Sequence, residues 1–306
     1  MVLFWILKAE TVILNILKEK IELSTFAEVS EITCNEPLYE RNLIRSLNIN
    51  SVVTCNEVKS EGAKQAEQRC YILLKSFPEL TCDPDYHQPA KHPYKLDIEL
   101  IDPSPISQKP RRFSMPNQEI IKQHMNDLEK KGALKRGASG YVSPVVLVPK
   151  KNGKTRVCID YTKLNSQTMP LNYPLPLIRD LAFYLKNNHC WYSVIDLREA
   201  YYSLPLTSKA SDKAAIITYQ GVYKPTRTQF GLMNAHAKFC EMVAAMISGR
   251  ESFVFYFLDD FIVFSQTIDN QLFHIKQLFE RLSQFGMILQ LEKCNFCANQ
   301  VNFLGY

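Results

Sequence analysis

Three carboxylates occupy positions in the sequence where a carboxylate is costly. Asp259 and Asp260 lie inside an otherwise apolar stretch, residues 253–264, that is typical of two buried strands. Asp196 lies 63 positions before Asp259, near the end of residues 191–197, which alternate as a strand does. Adjacent carboxylates at a buried strand end repel each other unless cations neutralise them. We therefore predict that the three side chains meet.

Three converging carboxylates form an oxygen-rich site that suits hard divalent cations, chiefly Mg²⁺. Two such ions about 4 Å apart can activate one oxygen for attack on phosphorus and stabilise the departing oxygen. The alternative explanation is local, because Asp is common in tight turns that its own side chain stabilises. Taken alone, the pair at 259 and 260 favours that structural explanation.

The charge of the chain is unevenly distributed. The formal net charge is +5, but residues 107–156 carry twelve Lys/Arg against three acids, whereas residues 1–90 carry nine against thirteen. A basic segment suits a polyanionic partner such as a nucleic-acid backbone. A solvated basic surface would give the same counts.

The composition is that of a soluble globular protein, with 46% hydrophobic and 22% charged residues. The nine cysteines lack the spacing of a disulfide framework, which favours a reducing compartment. Cys294 and Cys297 lack the further ligands that a zinc site needs. We recognise neither a signal peptide nor a bilayer-spanning run, so we expect a cytoplasmic protein without a membrane partner.

The elements that must position the carboxylates become readable after Pro116. Asn117 is predicted to cap a helix that continues to Lys131 and ends at Gly132. Two hairpins are predicted, residues 141–161 turning at Asn152-Gly153 and residues 214–228 turning at Gln220-Gly221. The first helix should bury Ile120, Ile121, Met125 and Leu128.

Two further helices flank the apolar strands. Residues 234–248 are predicted to form one helix that buries Phe239, Val243 and Met246. The other helix is indicated by apolar residues at helical spacing, a stripe that ends at Gly286. That stripe comprises Leu272, Ile275, Leu278, Phe279, Leu282 and Phe285. Antiparallel hairpins alternating with helices indicate an α+β fold.

The N-terminal part carries no chemical motif. Short helices are indicated near residues 13–20 and 67–74, and residues 89–116 hold six prolines, which is typical of an extended connector. We therefore divide the chain into an unassigned segment 1–90, a Pro-rich connector 91–116 and a folded domain 117–306.

Fourteen short stretches along the chain resemble those of one protein family. Each is a weak signal alone, but together they occur in the order and with the spacing of that family. They are residues 92–97, 143–148, 150–153, 156–161, 164–165, 173–176, 193–197, 200–201, 230–232, 234–235, 258–260, 264–265, 293–294 and 303–305. From about His92 to Tyr306 the chain resembles the reverse transcriptase of gypsy-type long-terminal-repeat retrotransposons, within the retroviral Pol group.

The resemblance implies a right-hand polymerase, with fingers and a ferredoxin-like palm in the domain 117–306. It implies an RNA-directed DNA polymerase, a nucleotidyltransferase that adds deoxynucleotides to a primer 3′ end. Asp196 and Asp259 match the principal metal ligands, and Asp260 completes the set beside the primer 3′ end. The implied cofactors are two Mg²⁺ ions, with Mn²⁺ as the alternative. The implied partners are an RNA or DNA template with its primer, and deoxynucleoside triphosphates.

The remaining matches concern the nucleotide and the primer. Lys150, Lys151 and Arg156 match finger residues that clamp the triphosphate, although exposed hairpin cations would look the same. Leu197, Tyr201, Phe230 and Gly231 match the nucleotide site. Leu304, Gly305 and Tyr306 match the start of the primer grip.

Tyr201 matches the aromatic gate under the sugar, where a ring clashes with a ribose 2′-hydroxyl and so favours deoxynucleotides. Core packing is the alternative explanation for this ring. Phe230 and Gly231 match a floor beneath the nucleotide and the template.

The sequence departs from the family at two places. Phe257 precedes Leu258 where the family usually has Tyr, which keeps the ring and loses a hydroxyl. His236, Lys238 and Cys240 stand where Pro, Thr and Gln are usual. Because this helix backs the nucleotide site, we expect its geometry to differ there.

Two alternatives to an active reverse transcriptase stay open. The sequence stops at Tyr306 without a recognisable thumb, ribonuclease H or integrase pattern, so a truncated, non-catalytic remnant that binds nucleic acid is one. An RNA-dependent RNA polymerase shares the palm, but Leu258 and Tyr201 argue against it. A retrotransposon product is expected in the cytoplasm, in particles or in the nucleus.

Overall fold

The computed structural model describes residues 61–149, 155–174 and 189–303. The predicted helix near residues 13–20 and the predicted Asn152-Gly153 turn lie outside these residues. The described helices are α1 (Glu61–Leu74), α2 (Met115–Lys130), α3 (Thr162–Gln167), α4 (Ser208–Lys213), α5 (Ala235–Ile247) and α6 (Ile268–Gln284). The strands are β1 (Leu134–Arg136), β2 (Ser143–Pro149), β3 (Thr155–Ile159), β4 (Trp191–Asp196), β5 (Ile216–Thr218), β6 (Gly221–Pro225), β7 (Val254–Phe257), β8 (Asp260–Ser265) and β9 (Asn295–Ala298).

Four strands form a sheet in the order β7-β8-β4-β9, in which every pair is antiparallel. Along the chain they run β4-α5-β7-β8-α6-β9, which is the split βαβ connectivity of ferredoxin-like domains. The predicted α+β fold with a ferredoxin-like palm is therefore confirmed, and we call this sheet the palm sheet.

Both faces of the palm sheet are buried, which explains why its central strands read as continuous apolar runs. In β8, Phe261 and Val263 join the main core on one face, while Ile262 and Phe264 join a smaller cluster on the other. Ile195 of β4 lies in the main core with an exposed fraction of 0%. Close packing of side chains on both faces therefore opposes a shift in register between the two strands.

Helix α6 covers the main core of the palm sheet. Its N-cap is Thr267, whose side chain accepts a hydrogen bond from Asn270 N. Gly286 follows its C-terminus with a positive φ of 67°, a conformation that glycine adopts at little cost. Arg281 donates to the carbonyls of Ala245 and Met246 and so ties α6 to the end of α5. The predicted stripe is confirmed at Ile275, Leu278, Phe279 and Leu282, which are all fully buried.

The second sheet has five strands in the order β1-β6-β5-β2-β3. Strands β2 and β3 form the predicted antiparallel hairpin, whereas β2 and β5 are parallel. Helix α2 packs against this sheet through Ile121, Met125 and Leu128, as predicted. Ile120 was wrongly assigned to the buried face, since 37% of it is exposed.

Two local predictions were wrong, the helix cap by three residues and the hairpin turn by one. Helix α2 begins at Met115 with Ser114 as its N-cap, so Asn117 lies inside the first turn. Pro116 is tolerated there because its missing N–H has no intrahelical acceptor in the first turn. The β5–β6 turn is Tyr219-Gln220, because Thr218 pairs with Gly221 and the Thr218 hydroxyl accepts from Gln220 N at 3.1 Å.

The described part of the N-terminal segment packs against the palm sheet. Helix α1 is longer than the stretch 67–74 that the sequence indicated, and it buries Ala66, Cys70 and Leu74 in the main core. The stretch 81–114 contains isolated bridges, such as Leu96 with Leu206 and Leu100 with Thr168, in place of helices and strands. None of the helices among the described residues has the length and apolarity needed to cross a bilayer.

Phe279 tests the packing of α6. Its ring is fully buried between Phe77 and Phe296, at centroid distances of 5.9 and 6.0 Å. We expect Phe279→Ala to lower the free energy of unfolding by about 3–5 kcal/mol, because a cavity remains. Phe273 on the same helix is 57% exposed, so Phe273→Ala should change the free energy of unfolding by less than about 0.5 kcal/mol. Urea unfolding followed by circular dichroism measures both, and equal losses would contradict this orientation of α6.

Candidate active site

The antiparallel pairing of β4 with β8 brings the three carboxylates together. Asp196 ends β4 and lies directly opposite Asp260, which begins β8. Residues paired in this way have Cα atoms about 4.5–5.5 Å apart. Asp259 directly precedes Asp260 in the chain, so their Cα atoms are about 3.8 Å apart. The predicted convergence of Asp196 with the Asp259–Asp260 pair is therefore present in the backbone pairing.

The turn that carries Asp259 is strained. Phe257 pairs with Asp260, so the turn consists of Leu258 and Asp259 only, and Asp260 belongs to the strand, not to the turn as the sequence suggested. Leu258 has a φ of 60°, a left-handed conformation that costs a residue with a side chain about 1–2 kcal/mol. The buried strands on either side enforce this conformation, which fixes where Asp259 lies.

The carboxylates repel one another. Burial, followed by the charges of Asp259 and Asp196, raises the pKa of Asp260 to about 6. The ammonium group of Lys293 acts in the opposite direction and lowers that pKa. The site therefore holds more negative charge than its own cation balances, which is the electrostatic condition for binding divalent ions.

Lys293 is the cation that this site holds. Its Nζ lies 3.0 Å from Asp196 Oδ2, and the pKa of Lys293 is raised by this contact and by the other two carboxylates. The loop that carries Lys293 is fixed to the end of β4, since Gln290 N donates to the Asp196 carbonyl at 2.9 Å. Asp196 has 13% of its side chain exposed, against 66% for Lys293, so solvent can reach the ammonium.

No group of three His, Cys, Asp or Glu side chains in the described ranges is arranged to hold a metal ion as it stands. The donor chemistry nevertheless suits a hard cation, since all three groups are carboxylates and one already binds an ammonium. The backbone pairing of Asp196 with Asp260 places these two carboxylates at adjacent strand ends, from which they could hold an ion together.

Tyr201 lies beside the carboxylates. It belongs to a 3₁₀ turn, Ala200–Ser203, which follows Glu199 in a left-handed conformation with a φ of 51°. Burial and then the charge of Asp259 raise the pKa of the Tyr201 phenol, so the hydroxyl stays protonated. The hydroxyl lies 3.2 Å from His236 Nδ1. Burial lowers the pKa of His236, with Asp259 opposing that shift, which favours the neutral ring.

Phe230 and Gly231 form an exposed loop next to Tyr201. The rings of Tyr201 and Phe230 meet edge to face at 5.1 Å, and 52% of Phe230 is exposed. Gly231 has a φ of 95°, which disfavours any side chain at this position. Asn165 holds the loop from α3, because its amide donates to the Gly231 carbonyl at 2.7 Å and accepts from Met233 N at 3.0 Å.

The remaining predicted site residues are Leu197, Arg156 and five residues outside the described ranges. Leu197 is buried beside Asp196 and bridges to Leu289. Arg156 is exposed on β3 of the five-stranded sheet, and the structure shows no hydrogen bond between it and the described carboxylates. The predicted residues Lys150, Lys151, Leu304, Gly305 and Tyr306 lie outside the described residues.

Sequence reasoning gave no role to three residues that shape the site. Lys293 and Asn165 appeared only as letters of matching stretches, and His236 only as a departure from the family pattern. The signal available for Lys293 was its place just before the apolar residues of β9, which pairs with β4. For His236 the signal was an imidazole where the family has a proline.

Comparison with known proteins agrees with this geometry. Residues 148–306, more than half of the chain, match the family described as reverse transcriptase (RNA-dependent DNA polymerase). The retrovirus-related Pol polyprotein from transposon opus of Drosophila melanogaster is 28% identical over 267 residues, which are 85% of this chain and 26% of that protein. The Pol polyprotein from transposon 297 of the same species is 31% identical over 210 residues, 66% of this chain and 20% of that protein. The chain thus spans about a quarter or less of these relatives.

Solved structures support the fold. A foamy viral protease-reverse transcriptase in complex with an RNA/DNA hybrid superimposes with a TM-score of 0.69 at 21% identity, covering 91% of this chain and 36% of that one. A second structure of that foamy viral protein, in complex with double-stranded DNA, gives a TM-score of 0.67 at 22% identity, covering 91% and 48%. The retrotransposon relatives and the matched residues confirm the predicted resemblance. The chain is a member of the reverse transcriptase (RNA-dependent DNA polymerase) family.

Proposed function

We propose that this chain carries the fingers and palm of a reverse transcriptase that extends a primer on an RNA or DNA template. The observation that carries the proposal is the pairing of Asp196 with Asp260, with Asp259 in the adjoining turn. This arrangement gathers three carboxylates at the ends of the two central strands of a buried sheet. The proposed domain is 117–306, preceded by the connector 91–116 and the unassigned segment 1–90.

The proposed cofactors are two Mg²⁺ ions, or Mn²⁺, held by Asp196, Asp259 and Asp260. If bound there, such ions would activate the primer 3′ oxygen and stabilise the departing pyrophosphate. The chain itself contributes position, because the strained Leu258 turn fixes Asp259 and the register fixes Asp196 against Asp260. Lys293 pairs with Asp196, so its ammonium group lies beside the carboxylates that would hold the ions.

The nucleotide is proposed to lie against Tyr201, with Phe230 and Gly231 beneath it and Leu197 behind the carboxylates. The edge-to-face contact of Tyr201 with Phe230 supports this placement, because it joins the two predicted nucleotide residues at one surface. Arg156, Lys150 and Lys151 are proposed to reach the triphosphate from the β2–β3 hairpin. Residues 304–306 are proposed to begin the primer grip.

Substitution of Asp259 tests the mechanism. We expect Asp259→Asn to reduce Mg²⁺-dependent extension of a DNA primer on an RNA template by at least about a hundredfold, because a charged metal ligand is lost. The matched control is Asp127→Asn on α2, where the side chain is exposed and the rate should stay unchanged. The assay uses the purified full chain.

Two outcomes of that assay would count against the proposal. Undiminished extension by Asp259→Asn would remove the metal mechanism. Tight binding of an RNA–DNA hybrid by the wild-type chain, without any extension, would favour the non-catalytic alternative.

The raised pKa of Asp260 predicts a pH dependence of stability when divalent ions are chelated. Its pKa is about 6 in the folded protein, against an ordinary value of 3.8, so the folded state binds this proton more tightly. The contribution of Asp260 to stability is therefore fully present below about pH 3.8 and is lost as the pH rises through about 6. We expect Asp260→Asn to unfold at a higher temperature than wild type at pH 8, and to lose that advantage at pH 4.

Thermal unfolding in EDTA measures this difference. Added Mg²⁺ should reduce it at pH 8 by stabilising the wild-type chain, because an ion that binds only the folded state raises its stability. Asp127→Asn again serves as the exposed control. An advantage of Asp260→Asn that is equal at pH 4 and pH 8 would show that the carboxylates do not repel one another as described.

A further inference from the structure

Tyr201 is hydrogen-bonded to a residue that departs from the family pattern. The Tyr201 hydroxyl lies 3.2 Å from Nδ1 of His236, which stands on α5 where the family usually has proline. A proline could neither accept this bond nor reach the hydroxyl. The family resemblance assigns His236 no role, so the contact adds a residue to those that the resemblance places around Tyr201.

Tyr201 and His236 form a hydrogen bond between two neutral groups. The phenol is protonated and the imidazole is neutral, so either the Tyr201 hydroxyl donates to Nδ1 or, in the other ring tautomer, Nδ1–H donates to the hydroxyl oxygen. Nε2 faces the Cys240 sulfur at 3.8 Å, one turn along the same helix. The Cys240 thiol is buried, which raises its pKa to about 11 and keeps it neutral, so it can serve as a weak acceptor or a weak donor and suits either ring tautomer. Both ring nitrogens of His236 are thereby engaged.

The ring of Tyr201 is held on its remaining sides by aromatic groups. Phe230 meets it edge to face at 5.1 Å, and Phe239 packs against it at 5.2 Å with a tilt of 42°. These contacts hold the ring by packing. The hydrogen bond between the hydroxyl and His236 adds a directional contact at the far end of the ring.

We propose that His236 is a positioning residue that anchors Tyr201 and thereby sets how strongly the site rejects ribonucleotides. This inference rests on the proposed function, in which Tyr201 lies under the sugar. An aromatic ring under the sugar excludes a ribose 2′-hydroxyl only if the ring is not displaced when a ribonucleotide binds. A ring held by packing and by a hydrogen bond yields less than a ring held by packing alone.

The contribution can be distinguished from a merely structural one. If His236 only filled space behind the site, its replacement would lower the efficiency with deoxy- and ribonucleotides alike. If it acts through the Tyr201 hydroxyl, its replacement changes the ratio of the two efficiencies. Removing the hydroxyl should then have the same effect, and removing both groups should add nothing.

The experiment measures kcat/KM for a deoxynucleoside triphosphate and for the matching ribonucleoside triphosphate, using the full chain, Mg²⁺ and a primed RNA template. We expect His236→Leu to reduce the preference for the deoxynucleotide by about three- to tenfold, as the loss of one hydrogen bond implies. Tyr201→Phe should give a similar reduction, and the double variant should match the single ones. His236→Gln, whose amide oxygen can accept from the hydroxyl, should restore most of the preference.

The matched control is Glu241→Gln on the same helix, which removes an ion pair with Lys238 and should leave the preference unchanged. Thermal unfolding checks that each variant folds, and if His236→Leu does not, Tyr201→Phe alone still decides. An unchanged preference in Tyr201→Phe, or fully additive effects in the double variant, would overturn the inference. A wild-type chain that cannot extend a primer would remove the proposed function and this inference together, whereas extension with unaltered sugar preference would remove only the inference.

Discussion

Repulsion among three carboxylates at the ends of the central strands of the palm sheet is the constraint on which the site depends. The β4–β8 register places Asp196 opposite Asp260, so the backbone cannot relieve that repulsion by separating them. A shift of one residue would move every side chain of β8 to the opposite face of the sheet. Close packing of the apolar residues on both faces opposes such a shift. The negative charge of the carboxylates therefore has to be balanced by cations.

A buried polar cluster helps to hold this register. Gln271 of α6 donates to the Ser193 hydroxyl of β4 at 2.9 Å and to the Val263 carbonyl of β8 at 3.2 Å. The Ser193 hydroxyl also accepts from Cys297 N of β9 at 2.9 Å. Because an unpaired buried polar group costs about 1–3 kcal/mol, the correct alignment of one helix with three strands is favoured over shifted ones. The cluster lies beneath the strand whose last residue is Asp196, and so connects core packing to the position of the carboxylate.

The neighbourhood of Tyr201 shows how a site can differ from its family without losing its architecture. The ring is packed by Phe230 and Phe239, two residues that belong to predicted matching or core positions. His236 and Cys240, in contrast, are departures that stand four residues apart on one face of α5 and contact each other. Read in the sequence they look like two unrelated changes. In the fold they form one hydrogen-bonded chain that ends at the Tyr201 hydroxyl.

The sequence by itself determined which residues are costly to bury and which periodic segments could bury them. The alternation of β4, the apolar run of β8, the stripe of α6 and the isolated Asp259–Asp260 pair were readable because each depends on neighbours within a few positions. Local signals also misled, since Asn117 resembles a cap and Gly221 a turn residue, although Ser114 and Tyr219-Gln220 take those places. Only the tertiary structure decided that Lys293 balances Asp196 across 97 positions and that His236 contacts Tyr201 across 35. Such partners are set by strand register and loop packing, which no local propensity encodes.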